Sequence, residues 1–152
     1  MWLDLKYIRL LLIASALATT SACLRVNKFE HEPAMAAAQA HDFAHIAFVE
    51  RDLSTAYAML SPDTKAKMSL DQFNQLVSSM HPAEYPSSIE STDYELMPGQ
   101  KAMNIYVSGS SGNERFYYRL VMEGTKETRY TVGGLWRGNG PFPPSNMRRP
   151  LQ

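Results

Sequence analysis

The sequence predicts an α+β domain, with helices first and an antiparallel sheet after them. Residues 33–80 repeat apolar side chains at helical spacing and carry several helix-start signals. From Ile89 the apolar period changes to two. The runs of period two are separated by "PGQ", "GSSGN" and "GTK", turn chemistries that join neighbouring strands. A length of 152 residues suits one domain, and 45% apolar with 20% charged residues places the chain among globular proteins.

The first helix is expected from Pro33, with Ala36, Ala40, Phe43, Ala44 and Ala47 on one apolar face whose small side chains admit a close neighbour. Asp52 then reads as the N-cap of a shorter helix that turns Leu53, Ala56, Tyr57 and Leu60 inward. In "LSPDTKAK", Ser61 caps a further turn with Pro62 at its first position, where a missing N–H costs nothing. Ser69 and Gln72 make a capping box for a helix that buries Phe73, Leu76 and Val77. "HPAEYP" stops it, because the residue before a proline is pushed out of the helical region.

Four strands are predicted, over 88–97, 101–108, 114–123 and 127–137. Their alternation points Tyr94, Leu96, Met103, Ile105, Val107, Phe116, Tyr118, Leu120, Tyr130, Val132 and Trp136 toward the helices. Asp93, Glu95, Tyr106, Arg115, Tyr117, Arg119, Arg129 and Arg137 then fall on the outer face. Gly133-Gly134 predicts a bulge in the last strand. The tail 139–152, rich in proline, cannot supply a helix or a central strand and is expected to be disordered, with "PFPP" as an extended docking segment in the alternative.

The N-terminus carries a different signal. Lys6 and Arg9 precede the apolar run "LLLIASALA" at 10–18, which is too short for the ~20 residues of a membrane-spanning helix. Small residues then lead into Cys23, the single cysteine of the chain. The stretch resembles a bacterial lipoprotein signal over Ser21, Ala22 and Cys23, although Thr20 stands where such signals usually carry leucine. The resemblance implies a signal peptide over 1–22, a lipidated Cys23 (palmitate among its acyl chains), and a polar tether over 23–33 ahead of a domain spanning 34–138. A secretory signal cut nearby and an uncleaved anchor are the alternatives. Leu24 after the cysteine implies, by the same resemblance, an anchor in the outer membrane rather than another part of the envelope.

Composition excludes several functions. Fifteen basic and fifteen acidic side chains leave no net charge and no basic stripe, so no nucleic-acid partner is expected. One cysteine precludes an intramolecular disulfide, and no cofactor is expected. His41 and His45 in "HDFAH" have metal-ligand spacing, but both point away from the alanine face, and we expect a solvated pair rather than a metal site.

The alanine-rich helix, the run "ERDLSTAYAMLSPDTKAKMSLDQF" and the strands ending in "RYTVGGLW" are together similar to the nuclear-transport-factor-like superfamily of cone-shaped α+β domains. The resemblance covers about residues 34–137. It implies a curved sheet around the first helix with a hollow between them, and pairing through the sheets as a homodimer. Enzymes of that architecture use an acid or a histidine inside the hollow, and no inward strand position here supplies one. The expectation is therefore a non-catalytic binding or assembly module for another envelope component. Its partner would meet the outer face at Tyr106, Arg115, Tyr117 and Arg119. The alternative is a small-ligand binder or isomerase-type enzyme, with Tyr118, Tyr130 and Trp136 lining the hollow.

Overall fold

In the computed structural model, residues 29–152 are described, so the signal-like segment and Cys23 lie outside the described residues. Helix α1 spans Pro33–Ala44 and continues as a π-helical turn over His45–Glu50, closed by Arg51 in the left-handed region. Its apolar face does what the spacing predicts: Ala36, Ala40, Phe43, Ala44 and Ala47 are all buried. The wider π turn keeps Phe48 on the same face, and it too is fully buried.

Three short helices follow: α2 (Leu53–Ala58), α3 (Pro62–Lys67) and α4 (Leu70–Met80). Each begins at its expected cap. Asp52 accepts from Thr55 N, Ser61 from Thr64 N, and Ser69 with Gln72 forms the reciprocal capping box.

The sheet contains β1 (Ser88–Leu96), β2 (Ala102–Ser111), β3 (Glu114–Thr125), β4 (Arg129–Gly138) and β5 (Arg148–Pro150). It is antiparallel and open, in the order β4-β3-β2-β1-β5, with α1 laid across β1–β4. The edge at β4 is partly covered by residues 59–61: Ser61 N donates to Val132 O and Val132 N to Met59 O.

Three expectations need correction. The sheet has five strands, not four, because the tail docks: Arg148–Pro150 pairs with Glu95, Tyr94 and Asp93, and Leu151 N donates to Thr92 O. Proline is admissible there because β5 is an edge. Second, the stretch expected as tether is bound to the domain from residue 29 onward. Lys126 N donates to Glu30 O, Glu32 N donates to the Tyr130 hydroxyl, and the His31 ring approaches Gln100 O at 3.2 Å.

The third concerns β4. Val121 pairs with Gly134 but Met122 with Val132, so Gly133 is the extra residue of a bulge. That residue inverts the alternation beyond it. Trp136, opposite outward Arg119, stands on the outer face and is 44% exposed, whereas Arg137, opposite buried Tyr118, turns inward. Leu96, also expected inward, is 40% exposed at the end of β1.

Candidate functional site

The space between helices and sheet is packed with aromatic side chains rather than open. Tyr118, Phe43, Phe48, Phe73 and Phe116 are all fully or almost fully buried there. The Phe48 ring stacks on Tyr118 with centroids 4.5 Å apart and meets Phe43 edge-on at 6.3 Å.

His81 enters this interior from the end of α4, on no strand. Only 5% of it is exposed. Its Nδ1 lies 2.8 Å from Val77 O, and its Nε2 lies 2.7 Å from the Tyr118 hydroxyl. A carbonyl can only accept, so the ring proton sits on Nδ1 and Tyr118 O–H donates to Nε2. Burial pushes the His81 pKa below the ordinary 6.5, and the Arg137 cation lowers it further against the Val77 bond. Burial likewise raises the Tyr118 hydroxyl. The ring is closed over by Tyr85, stacked at 4.3 Å, which in turn carries the Arg51 guanidinium at 4.9 Å. Arg137 donates to Met80 O and stands over Phe116. Chemically this is a neutral imidazole–phenol pair with every ring nitrogen engaged.

Reading inward strand positions alone misses His81. The available signal is "HPAEYP": a helix-stopping histidine one residue beyond a buried helical face is carried inward when the chain turns toward the sheet.

Tyr118, Tyr130 and Trp136 do not converge. Tyr118 sits beside Arg137 in the register, Tyr130 beside Gly124 at the opposite end of β4, and Trp136 points out. Tyr130 is 3% exposed and its hydroxyl accepts from Glu32 N.

The outer-face residues divide into two groups. Tyr106 and Arg119 lie beneath the tail. Arg148 stands 3.8 Å over the Tyr106 ring and pairs with Asp93 at 3.1 Å, while Phe142 meets Tyr106 edge-on at 5.6 Å. Glu95 accepts from Tyr106 O–H at 2.7 Å and from Ser145 O–H at 2.8 Å. These bonds lower the Glu95 pKa, while burial and then Glu95 itself push Tyr106 up to about 12. Arg119 stacks near Trp136 at 4.7 Å and Phe142 at 5.8 Å. The face expected to pair in a homodimer thus already holds a segment of its own chain. Arg115 and Tyr117, by contrast, line an uncovered groove of about 650 Å3 floored by Ser108, Gly109 and Ser110.

A second opening lies at the β4 edge. Leu60, Met68, Phe73, Leu76, Val132 and Leu135 enclose a slot of about 200 Å3, and Trp136 forms one lip. The bulge shapes it: a Cβ on Gly134 would lie 2.5 Å from the indole, so only glycine lets Trp136 lie that close to the strand. A shallower groove with Ser79, Glu114, Arg115 and Asn139 continues from the slot past Trp136. An apolar centre with a polar border is the anatomy of a protein-binding surface.

His41 and His45 stack on each other at 6.1 Å on the helix surface, each side chain 43% exposed. Among the described residues no cluster of three or more His, Cys, Asp or Glu side chains could hold a metal ion. No helix among them is long and apolar enough to cross a membrane. Compared with protein-family models, with curated proteins and with solved structures, the chain matches none.

Proposed function

We propose that the chain is a lipid-anchored bacterial envelope protein, attached through Cys23 and most simply to the outer membrane. In this reading its folded part is a non-catalytic binding or assembly module for another envelope protein. The anchoring half rests on the lipoprotein-like stretch ending at Cys23. The cone-shaped superfamily is compatible with the helix-on-sheet order, and it remains part of the proposal.

One observation carries the binding half: the interior is filled, while the β4 edge offers an apolar slot with an exposed tryptophan at its lip. Tryptophan and arginine are over-represented where truncation weakens interfaces most; Trp136 and Arg115 lie along this border, and Arg119 stacks behind the indole. The occupant would be a protein segment presenting one apolar side chain to the slot, with polar groups for Arg115 and Ser79.

A photo-crosslinking amino acid at Leu76, introduced into the membrane-attached chain, tests this reading. We expect one discrete heterologous adduct that Trp136→Ala reduces at least about tenfold, the loss expected of a hot-spot residue. A chain that crosslinks to nothing, or equally well without the indole, would refute it.

The second reading, a small-ligand binder or isomerase-type enzyme, is favoured by the His81–Tyr118 pair, an imidazole held neutral beside a phenol. It requires Phe48 or Tyr85 to move, since both rings pack directly against the pair. Ligand-induced chemical-shift changes at the His81 ring would favour it over the first.

A further inference from the structure

We propose that the domain stands on the membrane with a defined end down. The bilayer surface meets the end built by the β1–β2 turn (97–101) and the β3–β4 turn (126–128), and the β2–β3 turn at 112–113 points away from it. The proposal rests on the anchoring of Cys23 and adds to it which face the lipid surface contacts.

Reach sets the orientation. A ten-residue tether would let the domain tumble, but residues 29–32 are not tether. Lys126 holds Glu30 twice, by its backbone N–H at 3.1 Å and by its ammonium at 3.1 Å. His31 lies against Gln100 O, Glu32 N is bound to Tyr130, and the Lys101 ammonium stands 5.3 Å from the Phe29 ring centroid. These contacts all belong to one end of the sheet, where Gly124 N also donates to Lys101 O and joins the two turns. From Cys23 to Phe29 there are six residue steps, so even a fully extended chain spans only about 20 Å.

The dimension of the sheet is larger than that. β2 runs from Ala102 to Ser111, about 30 Å at strand rise, so the far turn cannot exchange places with the near one without breaking the Glu30 and Glu32 bonds. Gln100 and Lys101 are exposed at the near end, and an exposed lysine there meets lipid headgroups rather than hydrocarbon. Trp136 pairs with Arg119, six residues from Thr125 along β3. The slot, lined from Val132 opposite Met122 to Trp136 opposite Arg119, therefore opens roughly 10–20 Å above the near end, in the aqueous space where a partner can reach it.

The test uses the full chain, processed in bacteria and reconstituted into phosphatidylethanolamine–phosphatidylglycerol vesicles that carry a headgroup nitroxide. Gln100→Cys and Asn113→Cys each offer one thiol for an environment-sensitive fluorophore, because a lipidated Cys23 is blocked. Both side chains are exposed and make no hydrogen bond among the described residues. We expect quenching at position 100 at least about twice that at 113, given a separation near 30 Å against a reach near 20 Å. Inserting about twelve Gly/Ser residues after Val26 should erase the difference, since such a linker is a flexible coil. Equal or reversed quenching on a chain whose Cys23 carries label from radioactive palmitate overturns the orientation alone. Absence of that label, with the fluorophore on Cys23 itself, overturns the anchoring and the orientation with it.

Discussion

Replacing Tyr118 by phenylalanine removes one oxygen from the centre of the domain. The ring and its 4.5 Å stack on Phe48 are kept, so no cavity larger than a hydroxyl is made. What is lost is the 2.7 Å bond to His81, whose Nε2 becomes a buried acceptor with no donor, since the ring is 5% exposed and Nδ1 is committed to Val77 O. Leaving a buried polar atom unsatisfied costs about 1–3 kcal/mol, more than the roughly 1 kcal/mol net value of an ordinary hydrogen bond. We expect Tyr118→Phe to lower the unfolding free energy by about 2 kcal/mol. His81→Leu in the same background should recover part of that, because removing both partners leaves nothing unsatisfied. The coupling between the two sites should be at least about 0.5 kcal/mol.

Equilibrium urea denaturation followed by circular dichroism measures all four proteins. Repeating it from pH 8 to pH 5 adds an independent check of sign. The folded protein holds His81 neutral below the ordinary 6.5, whereas the unfolded chain does not. Above that pH both states are neutral there and the stabilisation is complete. As pH falls below it, the unfolded chain binds a proton that the folded chain refuses, and stability declines down through the lowered folded value. His81→Leu should flatten that decline. A Tyr118→Phe protein within about 0.5 kcal/mol of the parent, single changes that simply add, or an unaltered pH slope without His81 would refute the reasoning.

Further outcomes follow from the same geometry. Arg148→Ala removes the Asp93 ion pair, the stack on Tyr106 and the bond to Phe142 O; the amides of residues 148, 149 and 151 should exchange about tenfold or more faster while those of β2 and β3 are unchanged, as expected of a locally opening segment. Ser69→Ala breaks the capping box and should cost about 1 kcal/mol in thermal unfolding, with Gln72→Ala costing less. Gly124→Ala should prevent folding or cost more than about 3 kcal/mol, because φ is +143° and the new Cβ would lie within bonding distance of Arg129 O. Gly112→Ala, with open space around it, should cost about 1 kcal/mol, which thermal melts of the two variants will separate.

Much of the fold was legible because its signals are local. The caps at Asp52, Ser61 and Ser69 act over three residues, and strands predicted over 88–97, 101–108, 114–123 and 127–137 differ from the observed ones by at most three residues at any end. The outward placement of Asp93 and Glu95 was legible from the apolar Tyr94 and Leu96 beside them, although the extra residue at Thr92 inverts the alternation that Ile89 and Ser91 begin. The candidate site was not. The bulge at Gly133 is readable as a pair of glycines, but which of them is inserted depends on the partner strand, and that choice turns Trp136 out and Arg137 in.

By itself, then, the sequence determined the α+β order, the helix starts, the turns and the apolar face of α1, because backbone conformation answers to neighbours a few residues away. Only the tertiary structure decided that the tail becomes β5, that residues 29–32 are held to the sheet, and that His81 meets Tyr118. Arg148 finds Asp93 across 55 residues, Glu32 finds Tyr130 across 98 and His81 finds Tyr118 across 37. Contacts at such separations are chosen by the packed shape of the whole chain, and no periodicity along it encodes them.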